Sequence, residues 1–238
     1  MRAEVLEYPR HRRLWPLVEA RLQPGELAHD RWHLERVYAW AMRLAPEAGV
    51  DADLAGATAL AHDLAVVPKE SPERPQGGER SARLAGEPLA AAGYSTEEIA
   101  AIVEVVRTSS WSRGLSATSP LGELLQDADR LDAIGAVGIA RVFACAQAMS
   151  RPERPGRFYD PLDPVAATPR PLDDRAQAVD HFAAKLLRLA DGMHFPSARA
   201  EAQRRQFTLR AYLAALAYEL AGAGMPGRGD LPAQQQQQ

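Results

Sequence analysis

The stretch Leu54-Ala55-Gly56-Ala57-Thr58-Ala59-Leu60-Ala61 is apolar on every side, and the next two residues are His62 and Asp63. A helix with no polar face belongs in the middle of a fold. This run therefore calls for other elements packed all round it. Its end is chemically odd, because burying a carboxylate without a partner costs several kcal/mol or neutralises the group. A bound divalent cation removes that penalty and uses the imidazole and the carboxylate together. Alone, the pair could equally be a capped helix end with a satisfied core histidine.

The chain supplies further ligands. His33 stands upstream in His29-Asp30-Arg31-Trp32-His33-Leu34-Glu35-Arg36-Val37, and Asp127 and Asp129 stand downstream in Asp127-Ala128-Asp129-Arg130-Leu131-Asp132. The order is His, His-Asp, Asp, each on a separate helical stretch. Imidazole with carboxylate suits Mn, Fe, Co, Ni, Zn or Mg rather than a thiolate metal, and four protein ligands leave positions for water. Asp127 and Asp129 lie about 200° apart around a helix, so only one of them can face an ion.

The remaining periodicity is helical. Short apolar spacing at Leu14, Leu17 and Val18 marks a helix within 1–24, an N-terminal extension ending at Pro24-Gly25. Helices are expected over 26–45, 51–66, 79–92, 95–108, 120–149, 174–191 and 197–221. The fifth of these opens on Ser119-Pro120 and is expected to be the longest. Ser95-Thr96-Glu97-Glu98 is a capping-box signature. Irregular segments fall at 67–79, 109–119 and the proline-rich 150–173, and such loops commonly carry substrate contacts. The tail 222–238 ends in five glutamines and has the composition of a disordered segment. No segment alternates with period two. The expected fold is all-α: one compact helical bundle over 25–221.

Composition narrows the function. The formal charge of −3 gives no general affinity for nucleic acid, and no stretch is long and apolar enough to span a bilayer. The single Cys145 excludes an internal disulfide and reads as a buried thiol. With no signal-peptide pattern, a cytoplasmic location is expected. There is no Gly-rich phosphate loop, serine elbow or Cys/His dyad, which argues against covalent catalysis. Of 28 basic side chains only Lys69 and Lys185 are lysines, both beside candidate site elements, where a compact ammonium suits phosphate contact.

The ordered blocks His29-Asp30-x-x-His33-x-x-Arg36-Val37, Ala61-His62-Asp63-Leu64-Ala65 and Gln126-Asp127-Ala128-Asp129-Arg130-Leu131-Asp132-Ala133-Ile134-Gly135-Ala136-Val137-Gly138-Ile139-Ala140-Arg141 resemble the HD-domain metal-dependent phosphohydrolase superfamily. Tyr159-Asp160-Pro161 and His181-Phe182-x-x-Lys185-Leu186-Leu187 match more weakly. The resemblance is closest to a bacterial nucleotide pyrophosphohydrolase-like branch and runs from about residue 26 to 220. It implies His33, His62, Asp63 and Asp129 as metal ligands, with Mn the expected ion. It implies a small-molecule substrate, a nucleoside or deoxynucleoside triphosphate cut to monophosphate and pyrophosphate. No nucleic-acid polymer or membrane partner is expected, and a homodimer is left open. His29, Lys69, Arg130, Arg141, His181 and Lys185 are the expected substrate contacts, and Trp111, Phe158 and Tyr159 are loop aromatics placed to stack on a base. Relatives often carry an acid three residues after the aspartate of the His-Asp pair. Here that position is Val66, which leaves the catalytic base open among Asp63, Asp132 and Glu70. Two alternatives stand beside this one: a phosphomonoesterase or signalling-nucleotide hydrolase on the same ligands, and a metal-bound sensor with weakened catalysis.

Overall fold

The computed structural model describes residues 6–23, 25–65, 67, 71, 73, 76–109 and 115–221. Over these the chain is all-α, with helices α1 (Pro9–Glu19), α2 (Arg31–Ala48), α3 (Ala52–Ala61), α4 (Gly77–Ala92), α5 (Thr96–Thr108), α6 (Pro120–Asp132), α7 (Gly135–Met149), α8 (Asp180–Ala184) and α9 (Pro196–Leu220). Among the described residues the β-type pairing is confined to isolated bridges within 151–177.

The apolar run forms the central helix α3, and every residue from Ala55 to Ala61 is buried. Asp51 caps it, accepting from the backbone N–H of Asp53 (2.7 Å) and Leu54 (3.1 Å). Helices α1, α2, α5 and α6 surround it. The N-terminal helix α1 packs into this core through Leu14, Trp15 and Val18. Gly56 lets it approach, since a Cβ there would stand 2.3 Å from His11 Cε1. Polar bonds lock the contact. Arg10 pairs with Asp53 at 2.8 Å and with Glu98, while His11 bridges the Tyr38 hydroxyl (3.0 Å) and the Asp53 carbonyl (2.8 Å).

Helix α2 starts at Arg31 rather than 26, because Asp30 caps it by accepting from His33 N–H at 2.8 Å. It runs past Pro46 and stops at Gly49, which takes the left-handed φ of 64°. The capping box at Ser95 and Glu98 is formed as expected.

The helix expected over 51–66 ends at Ala61, with His62 as its C-cap. Two other expected helices differ more. The stretch 120–149 is not one helix: α6 and α7 meet at 76°. Gly135 turns the chain with φ of 78°, and at Gly138 a Cβ would lie 2.3 Å from the Ala133 carbonyl oxygen. The longest helix is instead α9, with 25 residues. The stretch 174–191 yields only the five-residue α8 and two short 3₁₀ turns at Leu186–Arg188 and Ala190–Gly192. The backbone of 176–179 is hydrogen-bonded to Arg157 and Phe158, which removes those groups from any helical ladder.

Candidate metal centre and its cavity

Helices α2, α3 and α6 bring three ligand types together. His33 is buried on α2, His62 follows the last residue of α3, and Asp129 lies on α6. One ligand atom from each falls within 4.8 Å of the others. His33 Nε2 is 3.3 Å from His62 Nε2, and Asp129 Oδ1 is 3.7 and 3.9 Å from these two nitrogens.

The far edge of each ring sets its tautomer. His62 Nδ1 donates to the Ala59 carbonyl at 2.8 Å, so the unprotonated nitrogen is Nε2. His33 Nδ1 donates to Asp132 Oδ2 at 2.8 Å, with the same result. Two imidazole lone pairs thus face each other across 3.3 Å, which demands a cation or a shared proton. Burial above all, then Arg141, pushes His33 down to about 4, so His33 itself does not carry such a proton near neutral pH. Burial acts to raise Asp129, but electrostatic interaction with His62, His33, Arg141 and Lys185 prevails and holds its carboxyl below the usual range. Two imidazoles presenting Nε2 and a carboxylate are a donor set that fits a divalent ion with bonds of about 2.0–2.2 Å.

Asp132 stands behind the ligands. It is 1 % exposed and accepts from His33, from Arg36 Nε and Nη2, and from Arg141 Nη1 at 2.6 Å. These partners hold its carboxyl far below the usual carboxylate range against the pull of burial. Such a carboxylate orients a metal-binding histidine. The break between α6 and α7 makes this possible. In an unbroken helix the nine residues from Asp132 to Arg141 would rise roughly 13 Å, beyond hydrogen-bonding reach. The bend folds Arg141 back onto it.

The cluster opens into a cavity of about 440 Å³ whose lining includes His29, His62, Asp63, Asp129, Arg141, Arg175, His181 and Lys185. Of the expected metal ligands, Asp63 is therefore on the cavity wall but outside the three-residue cluster. His29 sits ahead of α2, its ring 5.9 Å from that of His33, and its buried Nδ1 lacks a hydrogen bond, the nearest acid being Glu26 at 3.6 Å. The remaining lining near Val142, Cys145, Ala146 and Met149 comes from α7 and is apolar.

Several expected contacts lie elsewhere. Arg130 is not on the cavity wall: its guanidinium donates to the Gly192 carbonyl (2.6 Å) and to Gln126 (2.7 Å), tying α6 to the chain before α9. Asp127 is fully buried and accepts from the N–H groups of His194 and Phe195 at the start of α9, a packing role. Asp132, considered as a base, has its oxygens turned to Nδ1 of His33 and to two arginines. Phe158 packs on Phe143, and neither it nor Tyr159 lines the cavity. Val66, Lys69, Glu70, Trp111 and the tail from 222 lie outside the described residues.

Two site residues were not anticipated. Arg175 lines the cavity, and Asp174 accepts from His181 Nδ1 at 2.8 Å. Both lie in a stretch read as ordinary helix, where no periodicity marks them. Asp174 two turns before His181 was the available signal.

A family model described as HD domain matches residues 32–134. The chain is 31 % identical over 214 residues to YpgQ of Bacillus subtilis, covering 88 % of this chain and 92 % of that protein. The crystal structure of YpgQ in complex with ADP superposes with a TM-score of 0.64 at 27 % identity, covering 89 % of this chain and 98 % of the other. A crystal structure from Lactobacillus plantarum gives 0.71 at 27 % identity, covering 92 % and 100 %. An HD-superfamily hydrolase from Bacillus thuringiensis gives 0.63 at 29 % identity, covering 90 % and 97 %.

Proposed function

The chain belongs to the HD-domain superfamily of metal-dependent phosphohydrolases, and on that premise we propose that it hydrolyses nucleoside or deoxynucleoside triphosphates to monophosphate and pyrophosphate. The observation that carries the hydrolytic reading is the pair of Nε2 lone pairs 3.3 Å apart beside Asp129, at the edge of a cavity that also presents Arg141, Arg175 and Lys185.

His33, His62 and Asp129 hold the ion, Mn²⁺ in this proposal, and Asp63 completes the protein ligands from the cavity wall. When bound, such an ion supplies Lewis acidity and lowers the pKa of water toward neutrality. The chain's own residues supply the rest. Asp132 keeps His33 in the Nδ1–H tautomer and fixes the ring. Arg141, anchored by Asp132 at 2.6 Å, presents a forked donor to phosphoryl oxygens without swinging away. Lys185 and Arg175 offset the charge that develops as the P–O bond breaks. The apolar face of α7 gives a wall for a base or sugar and excludes water there. Nucleotide as the substrate class is supported by the ADP held by YpgQ, a relative aligned over nearly the whole chain.

The test is hydrolysis of a panel of NTPs and dNTPs with added Mn²⁺, products resolved by ion-exchange chromatography, with an Asp63→Ala control. Monophosphate plus pyrophosphate, abolished in the control, is the expected result. Protein that binds Mn²⁺ and turns over none of the panel refutes it. Release of inorganic phosphate alone would instead place the cut at the terminal phosphoanhydride bond.

A further inference from the structure

The segment from 174 to 186 contributes a second group of polar side chains to the cavity, apart from the metal ligands. Its centre is a pair. His181 Nδ1 lies 2.8 Å from Asp174 Oδ2, and because an ionised carboxylate only accepts, Nδ1 carries the hydrogen and donates it. Proton exchange by this imidazole then falls to Nε2.

A clasp builds this pair from outside. Asp180, 1 % exposed, accepts Arg170 Nη1 at 2.8 Å and Nη2 at 2.6 Å, and also the backbone N–H of Asp173 at 2.8 Å. Arg170 Nε is anchored in turn on Asp163 at 2.9 Å. The clasp therefore grips the residue before Asp174 and the residue before His181 at a single point. The hydrogen bond from His181, against some opposition from burial, holds the Asp174 carboxyl below its usual range, helped by Arg175 and Lys185. Lys185 also acts on Asp129 at the metal cluster. Asp174, His181 and Lys185 line the same cavity as His62, Asp63 and Asp129, which places the dyad and the metal ligands around one space for a bound molecule.

We infer that His181, oriented by Asp174, is the proton donor to the leaving-group oxygen. This rests on the hydrolase reading above. As the water oxygen bonds to phosphorus, the bridging P–O bond breaks and its electron pair passes to the bridging oxygen. That oxygen takes the Nε2 proton of the His181 imidazolium. His181 is left neutral with its Nδ1–H still on Asp174, and the proton released by the attacking water returns to the imidazole through solvent. Asp174 stabilises the imidazolium before transfer and keeps the ring in the productive tautomer, so it is a positioning residue.

The experiment uses Mn²⁺-loaded full-length protein, wild type, His181→Gln and Asp174→Asn, on the p-nitrophenyl and phenyl esters of thymidine 5′-monophosphate, with dTTP in parallel. Phenolate needs a proton to leave far more than p-nitrophenolate does. His181→Gln is expected to lower kcat on the phenyl ester about 100-fold or more, within the range of general acid catalysis, and on the p-nitrophenyl ester less than about 10-fold. Asp174→Asn, with a partly exposed side chain and little risk to folding, is expected to shift the same ratio in the same direction by less. Calorimetric Mn²⁺ affinity is expected to be unchanged in both variants. Equal losses on the two esters would overturn the proton-donor role and leave His181 as a binding group. Wild-type protein that binds Mn²⁺ but turns over neither esters nor dTTP would instead overturn the hydrolase reading, and the dyad's role with it.

Discussion

Replacing Asp132 by Asn keeps the shape of a buried side chain and removes its charge. The wild-type carboxylate accepts from His33, Arg36 and Arg141 while being 1 % exposed. An amide offers one acceptor oxygen and turns an NH₂ toward donors. Breaking a buried ion pair by removing one partner typically costs about 3–5 kcal/mol. Arg36 is 35 % exposed and rehydrates, whereas Arg141 is 14 % exposed and cannot do so fully. The lower end, about 3 kcal/mol, is therefore expected, which for a chain of this size lowers Tm by roughly 6–12 °C. The same change removes the acceptor that fixes the His33 tautomer, and loss of such a partner weakens metal binding by about 10–100-fold. Differential scanning calorimetry without metal and titration calorimetry with Mn²⁺ read the two effects separately. A variant with wild-type Mn²⁺ affinity and Tm would refute the role of Asp132 as the group that organises His33.

Three further perturbations test the frame around the site. Gly138→Ala puts a methyl 2.3 Å from the Ala133 carbonyl at the joint between α6 and α7. Overpacking against backbone is expected to remove about 3 kcal/mol, at the upper end of the usual range, and to lower the urea midpoint; an unchanged midpoint would show that the joint yields freely. His11 is lowered below its ordinary value, by burial first, so from about pH 6.5 downward the unfolded chain binds the proton that the folded chain refuses. Stability is therefore lost as pH falls below about 6.5, and urea melts at pH 7.5 and 5.5 should show a smaller difference in His11→Gln than in wild type. An equal difference would exclude His11 as the source. Ser95→Ala deletes the cap of α5, remote from the cavity, and is expected to cost about 1 kcal/mol with no change in Mn²⁺ affinity; altered metal binding would contradict the separation of that cap from the site.

The helical class, the burial of α3 and the candidacy of His33 and His62 were legible in residue order, whereas the choice of Asp129 over Asp127 came from the family resemblance. An apolar run must be surrounded, and histidine and aspartate at its end need compensation that only a few residue types elsewhere in the chain could supply. The cap at Ser95 was equally local, since the side chain that satisfies the helix end lies within three residues of it. The break at Gly135 was not legible in the same way. Apolar spacing continues across it, and only the close approach of Gly138 to Ala133 and the left-handed φ at Gly135 reveal the turn.

Side chains with long reach were the least legible. Arg130 and Arg141 occupy one motif eleven residues apart, and sequence offers both as phosphate ligands. Their fates were decided by what lay near each guanidinium after folding: the chain before α9 for Arg130, and Asp132 with the cavity for Arg141. The segment 174–186 shows the same division. Its composition fits a helix, yet backbone pairing with 157–158 and the Arg170–Asp180 clasp interrupt it and turn Asp174 toward His181. Sequence by itself determined which chemistry the chain could hold, because ligand type and helical period are local properties. Tertiary structure alone decided which charges meet, because an ion pair depends on distances between residues far apart in the chain, and no local pattern encodes them.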